Sequence, residues 1–323
     1  MRRFLATLAT ASLLFSPLPA LGGDGYSWPG DAPYSVPKQK MTDALECHSG
    51  NRLSRHGAGA LNGRGRKHPV LLVHGTFVNR ETNWKWNYWE TLHEKGWEVC
   101  WVNLPNGSLG DIQVSSEYVA HALKLMHRAS GEKIDVLGHS QGGLQPRWAI
   151  KWFAAGRFVA DYIALATPNH GTSVSNDSAS NGRCFESCWQ MRRNSNFLGA
   201  LNRTTETPGP IFYTSIYTQT DELVQPTGTQ ALKGASNILI QDVCPGRSPD
   251  HVLIAGDYVT WVLVRDALLS PGPADPEVVE TADCSRLAMP GSETPPAEAY
   301  EMVEYDDDDS ADREPPLKRY ARP

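Results

Sequence analysis

An apolar run, Ile134-Asp135-Val136-Leu137, ends in Gly138-His139-Ser140-Gln141-Gly142, and a helical pattern follows at once. Strand, then Gly-x-Ser-x-Gly, then helix is the order a nucleophile elbow requires. The turn has to be so tight that the serine backbone is strained and its hydroxyl projects beyond the strand. Glycines two residues to either side remove the Cβ atoms that would hold strand and helix backbones apart. The neighbouring segments repeat the same rhythm. Apolar strands are expected at 69–73, 98–102, 134–138 and 161–166, with helices over roughly 113–130 and from the elbow to about 154. Pro146 falls in the first turns of the second helix, where a missing N–H costs least. Such a β-α-β alternation implies an α/β fold, a mostly parallel sheet with helices on both faces.

A serine hydroxyl is a weak nucleophile at its free pKa and needs an imidazole to accept its proton. In elbow-bearing folds the partners follow in the order Ser, Asp or Glu, His. Only His170 and His251 lie downstream of Ser140. His170 comes too early, because the acid would then have to follow the base, and it reads as a polar residue of a turn or cleft. His251, in a loop after the β-rich run 237–243, is the candidate general base. The candidate acid is Asp221, at the end of the β-branched and aromatic run Ile211–Tyr217, where open parallel sheets present functional groups. Its rivals are Glu222, Asp242 and Asp250; Asp177 sits in a Ser/Asn-rich loop and reads as solvated. Two backbone N–H donors are needed for an oxyanion. Gln141, which follows the nucleophile, supplies one, and Thr76, after the strand 69–73 and His74-Gly75, supplies the other. His74 itself reads as part of that loop's shape. His139 and Asn169 are the candidate substrate-binding residues.

With these residues assembled, the chain resembles secreted α/β-hydrolase lipases of the lipase B type. The resemblance rests on Pro-Val-Leu-Leu-Val-His-Gly-Thr at 69–76, Gly-Trp-Glu-Val-Cys-Trp-Val at 96–102 and Ser-Gln-Gly-Gly-Leu at 140–144. It continues through Thr-Asp-Glu-Leu-Val-Gln-Pro at 220–226, Val-Cys at 243–244 and Asp-His at 250–251. It runs from about Cys47 to Cys284. It implies an α/β-hydrolase fold, hydrolysis of acylglycerols or related lipophilic esters, nucleophile Ser140, acid Asp221, base His251 and oxyanion donors Thr76 and Gln141. It also implies disulfides Cys47–Cys100 and Cys244–Cys284, leaving Cys184 with Cys188. Three departures stand out. His139 replaces the tryptophan that precedes the serine in that type; Cys184 and Cys188 have no counterpart there; and Pro-rich, acidic residues follow Cys284 where that type carries an apolar helical segment walling the entrance.

The remaining expectations concern organisation. Met1-Arg2-Arg3 and the apolar run to Phe15 read as a secretory signal peptide over 1–22, too short to span a membrane. The catalytic domain is expected over 23–285. Residues 169–205 break the strand–helix rhythm beside the nucleophile and are the candidate lid. Residues 286–323, with Asp306 to Asp309, read as a solvated, disordered tail. Of the Trp-rich segment Trp84, Trp86, Tyr88 and Trp89, some side chains could line an acyl site, and equally they could pack a helix on the sheet. Six cysteines fit an oxidising compartment. A net charge of −6 without a basic stripe argues against nucleic acid, and neither zinc-type spacing nor a Gly-rich phosphate loop is present. The expectation is therefore a secreted monomer that needs no cofactor or metal and meets its lipophilic ester at a lipid–water interface.

Overall fold

The computed structural model describes residues 26–28, 30–50, 67–182, 184–301 and 310–323. The expected signal peptide and the aspartate run 306–309 lie outside the described residues.

A seven-stranded sheet carries the fold, in the order β1-β3-β2-β4-β5-β6-β7. The strands are β1 (Leu45–Cys47), β2 (Val70–Val73), β3 (Val99–Val102), β4 (Ile134–His139), β5 (Val159–Leu165), β6 (Phe212–Tyr217) and β7 (Ser236–Leu239). All neighbours pair in parallel except β1, which runs antiparallel to β3 at the edge. The helices are α1 (Lys38–Asp43), α2 (Arg80–Trp84), α3 (Tyr88–Glu94), α4 (Ile112–Ser130), α5 (Leu144–Trp152), α6 (Ser173–Ser180), α7 (Glu186–Met191), α8 (Asn196–Asn202), α9 (Ile240–Val243) and α10 (Tyr258–Leu269).

Because successive strand residues face opposite ways, uninterrupted apolar strands must be covered on both sides. Leu71, Val73, Val136, Tyr162 and Ala164 turn to the face packed by α4 and α5, where Leu123, Met126 and Trp148 are buried. Val70, Leu72, Leu137, Ile163 and Leu165 turn to the other face, met by Trp84, Leu92, Val259 and Leu263. Burying one such Leu, Ile or Val contributes about 1.5–3 kcal/mol. The helix ends are specified locally. Asp111 accepts the Gln113 N–H at the start of α4, and Gly131, at φ 75°, closes it by donating its N–H to the His127 carbonyl.

The segment before β2 holds a strand that no apolar run announces, β1, stapled to β3 by Cys47–Cys100. Most of the described residues from 286 to 301 are exposed, but parts of the expected tail pack on the body. Met289 and Ala321 are buried. Glu314 accepts the N–H groups of Asn196 and Phe197 at 3.0 and 2.7 Å, at the start of α8. Gln113 on α4 donates to the Pro316 carbonyl and accepts the Lys318 N–H. Tyr320 lies against Trp148 and Phe153. A few isolated apolar residues make this contact, too few to leave a periodic signal.

Candidate active site

Strand β4 delivers Ser140 into left-handed backbone, φ 56°, a conformation costly for a residue with a Cβ. The flanking glycines show why it is reached. A Cβ on Gly142 would run into the carbonyl oxygens of Val73 and His74, and one on Gly138 into the Gly142 carbonyl. The elbow is thus pressed directly against the end of β2, and a Cβ on Gly75 would sit 3.0 Å from that of Ser140.

Asp221 follows β6 and His251 lies between α9 and α10. Both are buried. The His251 Nδ1–H faces both Asp221 oxygens, 3.0 Å from Oδ1 and 2.9 Å from Oδ2. Asp221 Oδ1 also accepts the N–H groups of Leu223 and Val224 at 2.9 and 2.8 Å, which fixes the carboxylate. Burial by itself would lower the His251 pKa, yet the charge and hydrogen bond of Asp221, with Glu222 and Asp250 behind them, hold it above the usual histidine value. The sequence rivals take other places. Glu222 accepts the His251 backbone N–H at 3.2 Å, and Asp250 caps the N–H groups of Val252 and Leu253.

The loop after β2 is held from beneath by His74. Its Nδ1 donates to the Gly75 carbonyl at 2.8 Å and its Nε2 accepts the Leu104 N–H at 2.9 Å. Burial pushes its pKa down to about 4, so this ring stays neutral, as one donor and one acceptor require. Thr76 Oγ1 donates to Gln141 Oε1 at 2.5 Å, and Gln141 Nε2 donates to the Ser108 carbonyl at 3.1 Å. Thr76 and Gln141, read from separate segments, are therefore in direct contact beside Ser140.

Of the two candidate substrate-binding residues, only His139 lies on the cavity. Its Nε2 donates to the His251 carbonyl at 2.8 Å, and burial and the neighbouring His251 charge push its pKa down to about 3. Asn169 is fully buried and off the cavity lining, accepting from Arg147 Nη1 at 3.2 Å and donating to the Gln230 carbonyl at 2.6 Å. Its amide is taken up by the buried Arg147 guanidinium. His170 sits to one side, 3.2 Å from Glu206 Oε1. The sequence reading missed Asn83 on α2, whose Oδ1 accepts the Gly75 N–H at 2.9 Å and lies 3.2 Å from His139 Nδ1. Nothing in its Trp-rich surroundings marks it out. In that segment Trp84, Tyr88 and Trp89 pack in the core, while Trp86 reaches the cavity.

Ser140, His251, Thr76 and His139 open onto one cavity of about 1040 Å³. Phe77, Phe185, Met191 and Val224 give it apolar wall, and α6 with the Cys184–Cys188 bridge forms one side. Asp177, expected in a solvated loop, is on α6 at the exposed rim. Ala299 and Tyr300 line the opposite side, so the segment after Cys284 does border the entrance. The third bridge, Cys244–Cys284, ties that segment to the end of α9. Among the described residues no helix is long and apolar enough to cross a membrane.

The class 2 lipase family model matches residues 67–244. Lipase B of Pseudozyma antarctica is 28% identical over 293 residues, covering 88% of this chain and 80% of that protein. A triacylglycerol lipase of Pseudarthrobacter phenanthrenivorans is 28% identical over 119 residues, covering 33% of this chain and 34% of its own. The crystal structure of Aspergillus fumigatus lipase B superposes with a TM-score of 0.74 at 27% identity, covering 95% of this chain and 77% of that one. The mature form of Bacillus licheniformis lipase BlEst2, at 17% identity and TM-score 0.54, covers 77% of this chain and 100% of its own and shares the fold.

Proposed function

Because this chain belongs to the class 2 lipase family and is a carboxylic-ester hydrolase, we propose that it cleaves acylglycerols and related lipophilic esters through a serine acyl-enzyme. The observation that carries this reading is the buried His251–Asp221 pair, 2.9 Å apart, on the cavity that also holds the strained Ser140. Asp221 occupies Nδ1, so Nε2 is the nitrogen left to take a proton. Ser140 Oγ attacks the acyl carbonyl while Nε2 accepts the hydroxyl proton, and Asp221 stabilises the imidazolium. The carbonyl oxygen becomes an oxyanion at the Thr76 and Gln141 N–H groups, an interaction worth about 3 kcal/mol per donor in comparable enzymes. Collapse of the tetrahedral intermediate breaks the ester C–O bond, and the alcohol leaves with the proton from Nε2. Water, deprotonated by the same nitrogen, then attacks the acyl-serine and releases the carboxylic acid.

The cavity lies at the upper end of the usual size range for small-molecule sites, and its apolar wall suits an acyl chain. That Pseudarthrobacter phenanthrenivorans and Burkholderia plantarii relatives are triacylglycerol lipases supports the choice of glyceride. Residues 169–205, whose helices α6 and α7 line the cavity, are its cap, and the three disulfides support an extracellular site of action. The test is Ser140→Ala. It abolishes both fluorophosphonate labelling and hydrolysis of p-nitrophenyl butyrate, by a factor on the order of a million in turnover. A folded variant that keeps near-native rates rejects the acyl-enzyme.

A further inference from the structure

The end of the sheet away from Ser140 holds a second group of chemistry-bearing side chains that the hydrolytic reaction does not use. Asp135 is the second residue of β4 and Ser140 follows that strand's last, so strand rise separates them by about 16 Å. The pairing of β4 with β5 shifts register between Ile134 and Val136. The extra β5 residue brings Asp161 to the same face as Asp135. His68, just before β2, completes the group, with Nδ1 3.2 Å from Asp135 Oδ1.

Two carboxylates side by side under a sheet face are costly unless a positive charge, a proton or a metal offsets them. Asp135 is 1% exposed and Asp161 6%. Asp135 Oδ2 and Asp161 Oδ1 are buried without a hydrogen-bond partner. One ligand atom from each of His68, Asp135 and Asp161 lies within 4.8 Å of the others. Ligand atoms around a tetrahedral ion with bonds near 2.1 Å are about 3.4 Å apart, which the 3.2 Å from His68 Nδ1 to Asp135 Oδ1 already approaches. The His68 side chain is 30% exposed, which gives an ion a way in.

We propose that His68, Asp135 and Asp161 bind one zinc-class divalent cation as a structural site at the base of the sheet. One imidazole nitrogen and two carboxylate oxygens suit zinc better than calcium or magnesium, which prefer all-oxygen sets of higher number. Water fills the fourth position. The cation sets its charge against the two buried carboxylates.

The experiment uses the full chain, stripped with EDTA, desalted, and mixed with zinc chloride at pH 7.5. Retained zinc is counted by mass spectrometry after gel filtration, and Tm is followed in parallel. One zinc per chain and a raised Tm are expected, with His68→Ala and Asp161→Asn each weakening zinc at least tenfold. Hydrolysis of p-nitrophenyl butyrate by both variants stays within twofold of the parent. Equal zinc retention by the parent and Asp161→Asn overturns the proposal, as does uptake of calcium in place of zinc. An Asp161→Asn chain with higher Tm than a parent that never takes up zinc shows a shared proton only, which also overturns it.

Discussion

The Asp221→Asn variant probes the proposed chemistry most sharply, because the surrounding bonds dictate which way the new amide must face. Asp221 Oδ1 accepts the Leu223 and Val224 N–H groups at 2.9 and 2.8 Å. An amide keeps those bonds only if its oxygen stays there, which puts the NH2 at the Oδ2 position, 2.9 Å from His251 Nδ1. The ring must then turn its Nδ1 lone pair to the amide and carry its proton on Nε2. That nitrogen can no longer accept the serine proton. The loop keeps its shape while the base is in the wrong tautomer, a change that costs about ten-thousandfold in kcat, or roughly 5.5 kcal/mol, in a comparable triad. The assay is kcat on p-nitrophenyl butyrate at pH 8, with thermal unfolding to establish that the variant is folded. Asp250→Asn, next to the base but engaged with the Val252 and Leu253 N–H groups, should cost less than about tenfold. A folded Asp221→Asn enzyme within tenfold of the parent would refute the reasoning.

Further outcomes follow from the buried charges. His251 works only when neutral, and its pKa is held above the usual value, so kcat/KM on a soluble ester should rise with pH through a midpoint above 6.5. Glu222→Gln should move that midpoint down, and a native midpoint below the ordinary histidine value contradicts the pair. The same raised pKa adds stability at low pH, which is lost as pH climbs through the folded value. Elsewhere, Arg247 Nε meets Asp257 Oδ2 at 2.6 Å with both side chains about 95% buried (5% and 4% exposed), and Asp257 also caps α10 through the Thr260 N–H. Asp257→Ala strands the guanidinium and should lower stability by about 3–5 kcal/mol in urea unfolding; a loss under 1 kcal/mol rejects that role.

What was legible in the sequence was local. The apolar runs that became β2, β3, β4 and β5, and the glycines around Ser140, announce themselves within ten residues of chain, because period, turn and close approach are short-range requirements. The order of Ser140, Asp221 and His251 carried further, since a parallel sheet presents its strand ends on one side. Features that depend on distant partners stayed hidden. β1 is only Leu45-Glu46-Cys47, an edge strand whose pairing with β3 no pattern of three residues can signal. That Asn169 is bonded by Arg147 of α5, and that Asn83 takes the Gly75 N–H across from helix to loop, leaves no local trace in the chain. His68, Asp135 and Asp161 have no common spacing at all; a register shift between two strands unites them.

The positive φ at Ser140 also restricts which chemistry this scaffold can host. Serine and cysteine have unbranched β-carbons and can be held in left-handed backbone at moderate expense. Threonine pays more, because its γ-methyl crowds the backbone there; Thr204, at φ 71°, shows that this chain tolerates it at an exposed turn. Exchanging oxygen for sulfur at this position therefore leaves the turn intact, whereas the secondary alcohol of threonine adds backbone crowding at a site already pressed against β2.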